Sequence, residues 1–217
     1  MIYPLKKRRF LPVFALFAFV VLSVMLRFSS SILTLLDAVV SIGIQAVATS
    51  KIGGLLIPAY FFKNFWVVWI AIMIWAVFLR LLGFKVGFWW SLASASILIV
   101  ITWGWSLLTF FYWDGGPIMV QNMPAVANVL WAFLFYQIQQ ILVVRLPLLA
   151  WVKQAIGALM VIAWLFMAAA SIVEYDLSAT TLVGSALFGY AFFRVLAMLY
   201  IRQGKRWQQF FGVDGKI

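Results

Sequence analysis

Cysteine and histidine are both absent from the 217-residue chain. The first absence excludes a disulfide framework, a thiolate nucleophile and a cysteine-based metal site. The second removes the commonest general base, the commonest metal ligand and every histidine nucleophile. Charge is scarce as well. Only 10% of residues are charged, against ~25% in a soluble domain. No P-loop, G-x-S-x-G, H-E-x-x-H or dinucleotide fingerprint occurs, so no metal or cofactor is expected. Gly53-Gly54 and Gly115-Gly116 are turn signals, not phosphate cradles.

What fills the space is apolar: 67% of residues are hydrophobic, well above the ~45–50% of water-soluble folds. A helix needs about 20 apolar residues to cross a bilayer core. Six stretches qualify: residues 10–28, 64–83, 88–112, 124–144, 148–172 and 178–201. The expected fold is therefore all-α, a single integral-membrane domain over residues 1–217 with six transmembrane helices. Lys6 to Arg9 precede the first span, but its apolar run exceeds the ~7–15 residues of a signal-peptide core and no A-x-A site follows. It reads as an uncleaved anchor.

Lys and Arg placement sets the expected topology. The basic N-terminus (1–9), Arg80 and Lys85, Arg145 and Lys153, and the tail (202–217) all fall on one side. That side is expected to be cytoplasmic, with both termini on it. Asp37, Asp114, Glu174 and Asp176, four of the five acids, fall on the other. The net charge of +11 thus reads as a topology signal and a contact with anionic headgroups, and no nucleic-acid partner is expected.

Residues 29–63 form a long external connection broken by Gly53, Gly54 and Pro58. Within it Leu35, Leu36, Val39, Val40 and Ile44 recur at helical spacing, which predicts an amphipathic helix in the outer interface and a short second helix leading into span two. Trp89, Trp90, Tyr112 and Trp113 bracket span three as interface anchors. Thr181, Ser185 and Gly189 lie four apart and suit close helix packing. Gln137, Gln139 and Gln140 are expected to bond neighbouring helices, because a polar group facing lipid is costly. Arg194 can snorkel to the inner interface or meet a lipid phosphate.

The lead-in LLDAVVSIGIQAVATSKIGGLLIPAYFF, followed by WDGGPIM, QNMPAVANVLWAF and AASIVEYDLSATTLVGSALFG, resembles the PAP2 family of type 2 phosphatidic acid phosphatases in its order of parts. The resemblance covers about residues 35–201 and implies six spans around an outward-facing pocket. The family carries K-x6-R-P, P-S-G-H and S-R-x5-H-x3-D, in which one His attacks phosphorus and cations hold the phosphate. Here the first signature aligns with Thr109, Gly116 and Pro117, and the second with Pro124, Ala125, Val126 and Ala127. The third aligns with Ala170, Ser171, Leu177 and Thr181, or one residue on with Ser171, Ile172, Ser178 and Leu182. Neither register restores the chemistry, and a chain without His cannot run a phosphohistidine mechanism.

The resemblance therefore implies a catalytically inactive relative. Such a protein would bind a lipid or polyprenyl carrier, or serve as an accessory subunit beside a membrane-protein partner, and a bacterial inner membrane is the implied location. Two alternatives stand beside it. One is a transferase using Asp37, Asp114, Glu174 or Asp176 as base, which needs those acids to converge beside a cavity. The other is a transporter, which needs broken helices and mid-membrane polar groups.

Overall fold

The computed structural model describes residues 10–28, 31–49, 54, 56–112, 120–174 and 176–210. The basic N-terminus (1–9), Lys51 and Gly53, residues 113–119 with Asp114, Gly116 and Pro117, and the end of the tail lie outside them. Eight helices follow in order: α1 (Phe10–Arg27), α2 (Ser31–Ala48), α3 (Ile57–Phe62), α4 (Phe65–Leu81), α5 (Lys85–Leu108), α6 (Val126–Gln137), α7 (Ala150–Val173) and α8 (Ala179–Phe210). Between α5 and α6, strands β1 (Phe110–Tyr112) and β2 (Val120–Asn122) pair antiparallel, with Phe111 opposite Gln121. Span three thus ends before residue 112, and Tyr112 closes its strand rather than the helix. A π segment, Ile138–Val143, continues α6.

Six helices among the described residues are long and apolar enough to cross a membrane: α1, α2, α5, α6 with its π segment, α7 and α8. This is a multi-pass membrane protein. Length alone does not give the path of the chain, but contacts between helix ends do. Arg27, at the end of α1, donates to the Phe110 carbonyl at 3.2 Å and lies 4.4 Å from the Phe110 ring centroid. Ala125 N–H donates to Ser185 Oγ at 2.9 Å, which places the starts of α6 and α8 at the same end. Lys63, just before α4, pairs with Glu174 and Asp176 between α7 and α8. The chain therefore leaves this ladder end at residue 28 and is back at it by residue 63. α2 does not carry it across, despite its length. The 17-residue α4 does, at ~1.5 Å per residue.

The opposite end gathers Arg80 and Arg145, against the Phe88 and Phe84 rings, with Lys85 at the start of α5, Lys153 on the Val144 carbonyl and Arg202 near Pro12 of α1. There α4 turns sharply into α5. Gly83 adopts φ +84°, and the Phe84 N–H reaches the Leu79 carbonyl at 2.9 Å, a glycine-terminated helix cap that a side chain would strain. Lys153 donates to the Val144 carbonyl at 2.8 Å and so satisfies backbone that the π segment leaves open.

At the centre stands α6, buried at every position from Asn128 to Leu134, as expected of a helix apolar on all sides. Gln137 ties it down. Its side-chain oxygen accepts from Trp75 Nε1 (3.0 Å, α4) and Ser91 Oγ (2.9 Å, α5). The interhelical role expected of this glutamine is thus met, and a polar group that lipid would penalise joins three helices. Trp90, by contrast, is no interface anchor. It is buried, with its ring edge-on to Tyr200 at 5.3 Å, while its neighbour Trp89 is exposed. On a helix, adjacent residues point in different directions, so only one of the pair can face lipid.

Candidate functional site

The turn that opens α6 is held from two sides. The Met123–Pro124 peptide is cis, and Pro124 is buried. The Thr109 hydroxyl lies against the carbonyls of Trp105, at 3.0 Å, and Met123. Ser185 takes the Ala125 N–H and passes its own proton to the Thr181 carbonyl at 2.7 Å. The Met123 methyl occupies the space over Gly184, where a Cβ would lie 1.8 Å from it. Deeper along the pair, a Cβ on Gly189 would stand 3.0 Å from the Val129 carbonyl oxygen and 3.2 Å from the Ala132 Cβ. The small-residue stripe on α8 is therefore the face on which α6 rides.

The α7–α8 connection is closed in the same manner. The Ser171 carbonyl accepts from the N–H groups of Asp176 (3.0 Å) and Leu177 (3.3 Å), and the Ser171 hydroxyl donates to Met167 O at 3.1 Å. The Thr181 side chain is fully buried with its hydroxyl 3.1 Å from that of Ser178. Leu177 packs into a small cluster with Ala168, Ile172 and Leu182, joined by Val40 and Ile44 of α2. Thr109, Pro124, Ser171, Leu177 and Thr181 thus collect at one end of the bundle, with Ala127 half-buried one turn below Pro124. Their hydroxyls are engaged by backbone carbonyls or by each other. In chemical terms the described residues here form a joint between helices, each of these hydroxyls being engaged.

The carboxylates of the described residues are also committed. Asp37 is buried, and its Oδ1 accepts from both the N–H and the hydroxyl of Thr180 at 2.7 Å. It fastens α2 to the first turn of α8, where the helix dipole favours a negative charge. Glu174 and Asp176 converge on the Lys63 ammonium. That cation, at the turn between α3 and α4, has no motif around it that marks it as a partner for these acids. Among the described residues no group of three or more acids could hold a metal ion. The Lys63 cluster is 40–44% exposed on its acid side, so solvent screens it, and exposed pairs contribute only about 0–1 kcal/mol each. Replacing Lys63 by Met is expected to lower the melting temperature of detergent-purified protein by only about 2–4 °C, in line with ≲1 kcal/mol for a chain of this size. A collapse of the fold in a thermal scan would show that the cluster does more.

Open space lies elsewhere, along α7. On one flank, α6, α7 and α8 enclose a groove of about 460 Å³ walled by Phe135, Tyr136, Met160 and Trp164, with Gln139 and Gly157 towards its basic end. On the other flank, α3, α6 and α7 enclose about 520 Å³ between Pro58, Phe62, Trp131 and Phe166. Both are almost wholly apolar and within the 300–1,000 Å³ usual for ligand sites. The Trp131 indole, which borders the second, is held by a 2.7 Å bond to the Phe62 carbonyl. A third groove of about 360 Å³ runs between α1 and α8. No family model, curated protein or solved structure matches this chain.

Proposed function

We propose that this membrane protein is a non-catalytic lipid-binding scaffold, seating the hydrocarbon tail of a lipid or polyprenyl carrier in the grooves along α7. The observation that carries the reading is the pair of apolar grooves on either flank of that helix. Lipid chains are the abundant apolar ligand beside any transmembrane helix, and tail binding requires no reactive group. The absence of His and Cys from the sequence and the engagement of Asp37, Glu174 and Asp176 in structural contacts weigh against the transferase alternative. A PAP2-like origin is part of the proposal: six crossings and a buried proline turn at the start of α6 fit such a scaffold with its chemistry replaced by packing.

Two measurements test it. Protein purified in mild detergent should retain lipid through gel filtration, detected by mass spectrometry of the extract. Filling both grooves with Gly157→Leu and Ala163→Trp should weaken lipid retention by at least about fivefold, since a cost of ~1–3 kcal/mol for overpacking corresponds to roughly 5- to 150-fold in affinity. Phosphate release from phosphatidic acid or polyprenyl diphosphate should stay at the buffer rate. Retention equal to that of an unrelated helical membrane protein, or measurable hydrolysis, would overturn the reading.

A further inference from the structure

The groove between α6, α7 and α8 has a polar end. Gln139 leaves the π segment there, and its Nε2 donates to the Lys153 carbonyl at 3.5 Å, in the first turn of α7. With Nε2 towards the Lys153 carbonyl, the amide oxygen faces away from it. The Gln139 Oε1 atom is thus left buried with no partner. A buried acceptor without a donor is costly and calls for an explanation. Gly157, opposite, supplies the room: a Cβ there would already touch the Gln139 amide at 3.4 Å.

A positive charge lies just beyond the groove: Lys153 precedes the lining residue Gly157 by one helical turn, and its ammonium bonds the Val144 carbonyl past the end of the π segment. Lys153 is half-buried and uses one donor on Val144 O, which leaves two of an ammonium's three. α7 begins at Ala150, so the positive end of its dipole lies at the same level. An occupant matching the whole groove has an apolar tail, a negative group for Lys153 and the α7 start, and a hydroxyl to donate to Gln139 Oε1. Resting on the lipid-binding reading above, we infer that this groove selects an anionic phospholipid with a hydroxylated headgroup, of the phosphatidylglycerol class, at the basic end of the bundle.

The test uses the full chain in mild detergent, titrated separately with dioleoyl phosphatidylglycerol, phosphatidylmethanol and phosphatidylcholine and read by native mass spectrometry. Phosphatidylglycerol should bind about tenfold more tightly than phosphatidylcholine, the effect of one charge-assisted contact, and about threefold more tightly than phosphatidylmethanol, an anionic diester without a hydroxyl, the effect of one neutral hydrogen bond. Gln139→Leu should erase the second preference and keep the first. Gln139→Met, whose pliant side chain fits where Leu disturbs the π segment, should do the same. Lys153→Gln should weaken both anionic lipids and spare phosphatidylcholine. Trp66→Ala, exposed on α4 and lining neither groove, should leave every preference unchanged. Equal binding of phosphatidylglycerol and phosphatidylcholine, or of phosphatidylglycerol and phosphatidylmethanol, would overturn the inference while leaving the tail-binding proposal standing. Failure of all three lipids to bind would overturn the proposal itself.

Discussion

Gly189→Leu is expected to prevent the bundle from assembling. A Cβ at this position already stands 3.0 Å from the Val129 carbonyl oxygen and 3.2 Å from the Ala132 Cβ. Both belong to α6, and one is backbone, so neither can swing aside. Relief would require α6 and α8 to separate, yet α6 is enclosed and buried from Asn128 to Leu134. Gly189→Ala should cost about 1–3 kcal/mol, the usual range for overpacking, and Leu well above it. Gly184 makes a useful contrast. A Cβ there falls only 1.8 Å from an atom, but that atom is the terminal methyl of Met123, which three rotatable bonds allow to move. Gly184→Ala is therefore expected to be milder than Gly189→Ala despite the shorter distance. Monodispersity on gel filtration and thermal unfolding in detergent would rank the three variants. Wild-type melting of Gly189→Leu would show that the α6–α8 contact is looser than described.

Asp37→Ala should be the second most damaging single change. Two opposing effects meet at this residue. Removing the carboxylate relieves the cost of keeping an anion out of water. It also strands the Thr180 N–H and hydroxyl, both of which donate to Oδ1 at 2.7 Å. Hydrogen bonds to charged groups are worth about 1.5–3 kcal/mol, and buried orphans cost about 1–3 kcal/mol each. Two lost bonds at the first turn of a helix outweigh one relieved desolvation, so a net loss of about 2–4 kcal/mol is expected. Asp37→Asn keeps an acceptor in place and should cost less than half as much. Thr180→Ala leaves the backbone bond and should also be intermediate. Unfolding in a denaturing detergent titration would give the order; equal stability of Asp37→Ala and Asp37→Asn would mean that the acceptor at this position contributes nothing.

The crossings were legible because bilayer thickness writes itself into run length. Residues 10–28 became α1 (Phe10–Arg27), and 148–172 became α7 (Ala150–Val173). Gln137 was legible for a related reason, since a lipid-embedded amide must find partners inside the protein. Periodicity also gave α2, though the helix runs the full 18 residues from Ser31 to Ala48. What could not be read was pairing across long separations. Asp37 and Thr180 lie 143 positions apart, and nothing local in either segment names the other. The Lys63 cluster, which spans 111 and 113 positions, is of the same kind. The π segment was hidden because its residues are ordinary helix formers; only the carbonyls it leaves open, one of them taken by Lys153, reveal it. Trp90 was misread because an aromatic pair at a span end looks alike whether it faces lipid or core.

The two grooves also give α7 a distinct place in the energy landscape of the chain. Local opening is cheapest where few apolar contacts must be broken, and α7 has open space on both flanks, with its buried residues confined to the stretch from Met167 to Ile172. It is the segment that would detach and re-dock while α1, α5, α6 and α8 stay together. A molecule lying in either groove adds its own contacts to the docked form alone, so occupancy and rigidity rise together. The surrounding membrane would then act as a cohesive filler whose composition sets how often this one helix breathes.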